Sequence, residues 1–153
     1  MTGGAANIVH VLGGPNLGRL GTRQPEIYGD TTWGELRDLC HEWAAELGLS
    51  LVFEQTDGEG ELVQMIHRAG DNAQGLILNA AAYTHTSVAV RDAVSAVDIP
   101  VIELHLTNPD AREDFRRQNL LADVVTAGIK GFGVQGYLMA LEGLAAMLTP
   151  VTE

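Results

Sequence analysis

In the run "IELHLTN" an acid and an imidazole, Glu103 and His105, stand two residues apart. On a strand that spacing puts both side chains on the same side. The carboxylate can then hydrogen-bond one ring nitrogen, fix the tautomer and leave the other nitrogen to move a proton. "NAAAYTHTS" offers a second imidazole, His85, close to Asn79, Thr86 and Ser87. A third group lies in "GGPNLGRLGTRQPEIYGD" at 13–30, where Asn16, Arg19, Arg23 and Tyr28 stand among five glycines. A structureless stretch that long is uncommon in a compact domain, and is usually a lid or binding loop. Glu103, His105 and His85 could also hold a metal, but one acid with two histidines from different strands is a poor ligand set, and no metal is expected.

Charge narrows the partners. The net charge of −11 opposes nucleic acid and anionic membranes, both of which need a positive footprint. Of the nine cations only Lys130 is a lysine. An acidic chain that keeps forked guanidinium groups in its loops is suited to grip a small anion such as a carboxylate, although Arg112, Arg116 and Arg117 also fit a solvated helix face. Cys40 is the single cysteine, so neither a disulfide framework nor a thiolate metal cage forms within one chain. "MTGGAANIVHVL" lacks the basic start and cleavage site of a signal peptide, and no apolar stretch reaches membrane-spanning length. A cytoplasmic protein is expected, with residues 1–153 forming one globular domain.

The elements that must position these residues alternate. Apolar runs of strand length occur at "IVHVL", "LSLVF", "GLILN", "VIELH" and "DVVTAG", with helical patterns between most of them. The clearest helix repeats Leu36, Leu39, Cys40, Trp43, Ala44 and Leu47, is opened by Thr32 and Glu35 as a capping box and is ended by Gly48. Further helices are predicted near 61–70, 87–97, 111–118 (a short one) and 136–148. This is an α/β pattern with a five-stranded parallel sheet of order 2-1-3-4-5, in which ligands bind beyond the carboxyl ends of the strands, at the switch between strands 1 and 3. Three neighbouring strand ends then bring Asn16, Arg23, Tyr28, Asn79, His85, Thr86, Ser87, His105, Thr107 and Asn108 toward one crevice.

Two glycine motifs are misleading. "GGPNLGRL" has the glycine spacing of a P-loop, but Arg19 and Leu20 stand where Lys and Ser/Thr are required. "GFGVQG" at 131–136 matches a dinucleotide fingerprint but sits at the last strand, without room for the rest of the unit. Its glycines are expected to turn the chain and let the last helix pack closely. His10, His41 and His67 lie within predicted elements and read as structural.

Taken together, "GPNLGRLGTRQPEIYG", "NAAAYTHTSVAVRDA", "IELHLTNPDAREDFRR" and "GFGVQGYLMAL" resemble the type II 3-dehydroquinate dehydratases, in the right order and with the right gaps from about residue 8 to 146. The resemblance implies a flavodoxin-like fold and loss of water from 3-dehydroquinate to give 3-dehydroshikimate, a step of the shikimate pathway or of quinate catabolism. It implies that Tyr28 takes a proton from C2, that Arg23 favours its phenolate, and that Asn16 helps hold the water or oxyanion at the enolate oxygen. His105, oriented by Glu103, would be the acid for the departing C1 hydroxyl. Asn79, His85, Leu106, Thr107 and Arg116 would bind the substrate's hydroxyls and carboxylate, with Asp92 reaching in from a neighbouring subunit. The family uses no metal or organic cofactor and assembles as a dodecamer of trimers. In physical terms, a closing loop would supply the base and exclude water together while the enolate is stabilised as it forms.

The chain departs from the family pattern in places. "NGPNLN" is "GGPNLG" here, so Gly13 and Gly18 replace asparagines and are expected to loosen the loop. "QSN" becomes Gln55, Thr56, Asp57; the carboxylate-binding serine becomes Thr107, which keeps a hydroxyl; and "HSY" becomes Gln118, Asn119, Leu120. Asp57 and Leu120 are expected to alter subunit contacts. Two rival readings remain: a member that binds a cyclic acid without turning it over, and a phosphorelay receiver. A receiver needs an acidic pair after strand 1 and an aspartate ending strand 3, where this chain has Gly13, Gly14 and Asn79.

Overall fold

The computed structural model describes residues 5–22 and 24–150. Five strands form one parallel sheet: β1 (Asn7–Gly13), β2 (Leu49–Gln55), β3 (Gly75–Asn79), β4 (Val101–His105) and β5 (Ala127–Lys130). Their order is β2-β1-β3-β4-β5, as the alternating pattern predicts. The helices are α1 (Pro25–Tyr28), α2 (Trp33–Glu46), α3 (Glu59–Asn72), α4 (Val88–Ala96) and α5 (Gln135–Leu148).

Period-two alternation sorts the strand side chains into two cores. Val9, Val11, Ile77, Ile102 and Leu104 pack with Leu36, Cys40 and Ala44 of α2 and with Tyr137, Ala140, Leu141 and Leu144 of α5. Leu12, Leu76, Leu78 and Val101 pack on the opposite face with Leu62, Met65 and Ile66 of α3 and Val90, Ala93 and Val94 of α4. Each large side chain fully buried this way contributes about 1.5–3 kcal/mol. Cys40 is core, and burial pushes its thiol up to about 12. Among the described residues, no helix is long and apolar enough to cross a membrane.

The predicted helix boundaries have visible causes. The Thr32 hydroxyl accepts from the Glu35 N–H at 3.1 Å to start α2, and Gly48, with φ of 73°, follows its end. Ser87 Oγ accepts from Val90 N at 2.9 Å to start α4. Gly131 and Gly133 take φ of 91° and 60°, which turns the chain from β5 toward α5. A Cβ on Gly136 would lie 3.4 Å from Leu104 and Ile129, an ordinary van der Waals contact, so the packing of α5 does not require glycine there, contrary to expectation.

Three local expectations need correction. The last strand begins at Ala127, so most of "DVVTAG" is turn: Asp123 pairs with Arg91 and its carboxyl lies below the usual range through that hydrogen bond, while Val124 and Val125 pack against the second core. The short helix near 111–118 is two 3₁₀ turns, Pro109–Ala111 and Asp114–Arg117, the first started by Asn108 Oδ1 accepting from Asp110 N at 3.1 Å. The long stretch after β1 has some regular structure, a 3₁₀ turn at Leu17–Arg19 and the single helical turn α1, with Pro25 at the start of the latter.

Candidate active site

Beyond the carboxyl ends of β1, β3 and β4 lies a cleft of about 620 Å³, its open mouth included. Asn16 and Tyr28 reach it from the β1–α2 loop, Asn79 and His85 from the end of β3, and His105, Leu106, Thr107, Arg112 and Arg116 from β4 and the segment after it. The cleft therefore lies where the switch-point rule points. Thr86, Ser87 and Asn108 do not line this cleft; the Ser87 and Asn108 side chains cap helical turns instead.

Close main-chain contact joins the ends of β1 and β3 beside the cleft. Gly14 N donates to the Asn79 carbonyl at 2.8 Å, and a Cβ on Gly14 would lie 2.5 Å from the Ala80 carbonyl oxygen, so only glycine permits this approach. Asn16 has φ of 71°, and its N–H donates to Asp57 Oδ1 at 2.9 Å. Gln55 Nε2 donates to the same oxygen at 3.0 Å and to the Gly14 carbonyl at 3.1 Å. The Asn16 and Gln55 hydrogen bonds hold the Asp57 carboxyl below the usual range. Asp57 thus has work within its own chain, bracing the segment that presents Asn16. The spaces expected to loosen the loop are filled: a Cβ on Gly13 would meet the Trp33 ring at 2.5 Å, and one on Gly18 would meet Gln55 Oε1 at 2.9 Å.

Glu103 and His105 project to one side of β4, as their spacing predicts. His105 Nε2 lies 2.8 Å from Glu103 Oε2, and the carboxylate is 5% exposed. Burial pushes the Glu103 carboxyl up, but hydrogen bonds from His105 and Asn119 and the positive potential of His105 and His85 outweigh it, leaving the group below its ordinary value. A carboxylate can only accept, so Nε2 carries a proton and Nδ1 is left for the cleft that the ring lines. His85 Nδ1 is 2.7 Å from the Gln118 carbonyl and must donate to it, which leaves Nε2 as the acceptor of the neutral ring. The two rings stack with centroids 6.5 Å apart.

Of the three tyrosines, Tyr137 is fully buried and burial raises its hydroxyl's pKa, while the Tyr83 hydroxyl donates to the Asp57 carbonyl at 2.7 Å. Tyr28 faces the cleft. Arg116 also lines it and donates from Nε to Glu113 at 3.0 Å. Arg23 lies outside the described residues. Asp92 sits on the exposed side of α4 and does not line the cleft of its own chain.

A scan against known families matches residues 7–145 to the class II dehydroquinase family. The chain belongs to that family. A 3-dehydroquinate dehydratase from Dinoroseobacter shibae is 51% identical over 141 residues, 92% of this chain and 94% of the relative. Another from Mycolicibacterium paratuberculosis is 54% identical over 138 residues, 90% of this chain and 96% of the relative. Among solved structures, a type II dehydroquinase from Propionibacterium acnes superposes with a TM-score of 0.90 at 41% identity, covering 94% of this chain and 99% of that one.

Two polar residues of this dehydroquinase corner escaped the sequence reading. Arg112 lines the cleft and places its guanidinium 5.4 Å from the centre of the Tyr28 ring. Its four-residue distance from Arg116 was the available signal, since that spacing can bring two side chains to one side of a helical segment. Asn119 contacts both oxygens of Glu103 from sixteen residues away, a pairing that local spacing cannot reveal.

Proposed function

We propose that this chain is a 3-dehydroquinate dehydratase, a hydro-lyase that removes water from 3-dehydroquinate through an enolate. The carrying observation is the cleft itself, which unites Tyr28, an imidazole backed by a carboxylate, two amides and two arginines in a chain matched to the class II dehydroquinases from residue 7 to 145. The Tyr28 phenolate, favoured by Arg23, takes the proton from C2, and the electron pair moves toward the neighbouring carbonyl oxygen. Asn16 holds the water or oxyanion there, where fixed donors act on charge as it develops. The enolate then collapses, the C1–C2 double bond forms, and the C1–oxygen bond breaks as His105, in its imidazolium form with Nε2–H held by Glu103, delivers the proton on Nδ1, so that the hydroxyl departs as water and the neutral Nε2–H ring is left.

Asn79, His85, Leu106, Thr107 and Arg116 hold the substrate's hydroxyls and carboxylate. The arginines give an otherwise acidic molecule a local cationic site suited to that carboxylate. Asp92, exposed on α4, is assigned to a neighbouring subunit's cleft in a dodecamer of trimers, and the enzyme to the cytoplasm. The reaction proposed here uses only the chain's own residues, with no metal or organic cofactor. Purified protein mixed with 3-dehydroquinate should develop the ultraviolet absorbance of the conjugated enone. Tight binding without that absorbance would make the chain a non-catalytic binder of the cyclic acid.

A further inference from the structure

The wall behind His105 belongs to two clefts. His85, His105 and Arg116 line the substrate cleft on one side and a second cleft of about 770 Å³, open mouth included, on the other, whose wall also includes the buried Glu103 and the half-buried Asn119. The carboxylate backing a proton-transfer imidazole thus has a second cleft behind it, from which water would reach it if the wall opened. Water on that side would compete with the imidazole for the carboxylate's lone pairs and let it rotate.

Asn119 occupies the approach. Its Nδ2 lies 3.0 Å from Glu103 Oε1 and 2.9 Å from Oε2, while its Oδ1 accepts from Leu121 N at 2.7 Å. The second contact fixes the amide orientation, because only the oxygen can take the Leu121 proton and only the nitrogen can then face Glu103. The segment is held along its length. Leu121 is fully buried, Leu120 N donates to the Thr84 carbonyl at 2.9 Å, and the Leu120 carbonyl accepts from Arg91 Nη1 at 2.8 Å. One residue earlier, the Gln118 carbonyl is the group that fixes His85. Four consecutive residues, 118–121, therefore lock the backs of both imidazoles.

We propose that Asn119 is a positioning residue for proton transfer by His105: its amide clamps the Glu103 carboxylate in the orientation that holds the His105 ring in a single tautomer. This rests on the dehydratase reading above. Asn119 touches no substrate; it acts through Glu103, and its loss is felt as a misplaced acid rather than as lost binding.

Nitrogen-15 NMR of the histidines and of the Asn119 side-chain amide, together with steady-state kinetics, tests this. In the wild type, His105 should show a proton on Nε2 in a strong hydrogen bond, and the Asn119 amide protons should exchange slowly. Asn119→Asp keeps the acceptor for Leu121 but sets a second carboxylate against Glu103; it should lose the His105 signature and about tenfold in kcat, with KM nearly unchanged. Asn119→Ser, which retains one donor, should recover part of both. The proposal is overturned if the wild-type ring carries its neutral proton on Nδ1 or the amide exchanges freely. It is equally overturned if both folded variants keep wild-type kcat and His105 signals. A wild type that shows the His105 and amide signatures but never forms the enone would sink the dehydratase reading while leaving the clamp standing.

Discussion

The two sides of the cleft are built differently. On the β4 side, Glu103 is buried and held by His105 and Asn119, and the main chain beyond it is tied by Gly131 N to the His105 carbonyl and Gly133 N to the Leu106 carbonyl. On the β1 side, most of the described residues between 18 and 30 are exposed, and their main-chain hydrogen bonds are largely local, such as Thr22 N to Arg19 O and Gly29 N to Pro25 O. Asn16 is the exception, anchored to Asp57. The difference matches two chemical tasks. In the proposed mechanism the acid that protonates the leaving group gains from a fixed ring orientation, whereas a base on a loop can close over the substrate together with the segment that carries it.

The largest test removes the chemistry of the β1 side. Tyr28→Phe should fold and bind 3-dehydroquinate yet lose on the order of a thousandfold or more in kcat, the usual scale for general base catalysis. Substantial turnover would move the base to the fixed side, with His85 next in line.

Glu103→Gln breaks the fixed side and should lower kcat by about a hundredfold. It has a second readout. The folded-state Glu103 carboxyl is depressed, so its contribution to stability is present above the unfolded value of about 4.3 and is lost as pH falls through the lower folded value. Thermal melts should therefore show wild type more stable than Glu103→Gln at pH 7, with the gap closing below pH of about 4. A gap independent of pH would mean that packing, not the carboxylate, makes the difference.

Arg116→Ala should raise KM about tenfold to a hundredfold, consistent with losing one or two charge-assisted hydrogen bonds to a carboxylate. An unchanged affinity by calorimetry would detach the Asp114–Arg117 turn from the substrate. The smallest effect is expected at the contact between the two sides. Arg112→Leu removes the cation beside the Tyr28 ring, an interaction of about 0.5–2 kcal/mol, and should cost up to about thirtyfold in kcat/KM.

What could be read from the sequence followed from short-range rules. The sheet order follows from alternating patterns, the Glu103–His105 pair from strand periodicity, and the crevice from the place where strand order reverses. What escaped depended on competition or distance. Val124 and Val125 look like strand but are drawn onto the second core beside an ion-paired turn, so β5 begins later. Arg112 looks like a solvated charge until the 3₁₀ turns bring it over Tyr28. The filling of Gly13 and Gly18 by Trp33 and Gln55 depends on residues twenty and thirty-seven positions away.

The burial of Cys40 has a practical consequence. Its thiol is sealed in the core and held protonated, and the sequence contains no other cysteine. Maleimide reagents should therefore leave the native protein unlabelled. A cysteine introduced at exposed Glu26, two residues before Tyr28, would then be the single attachment point for a fluorophore or spin label, and its signal would report, without background, whether the segment that carries Tyr28 moves when substrate binds.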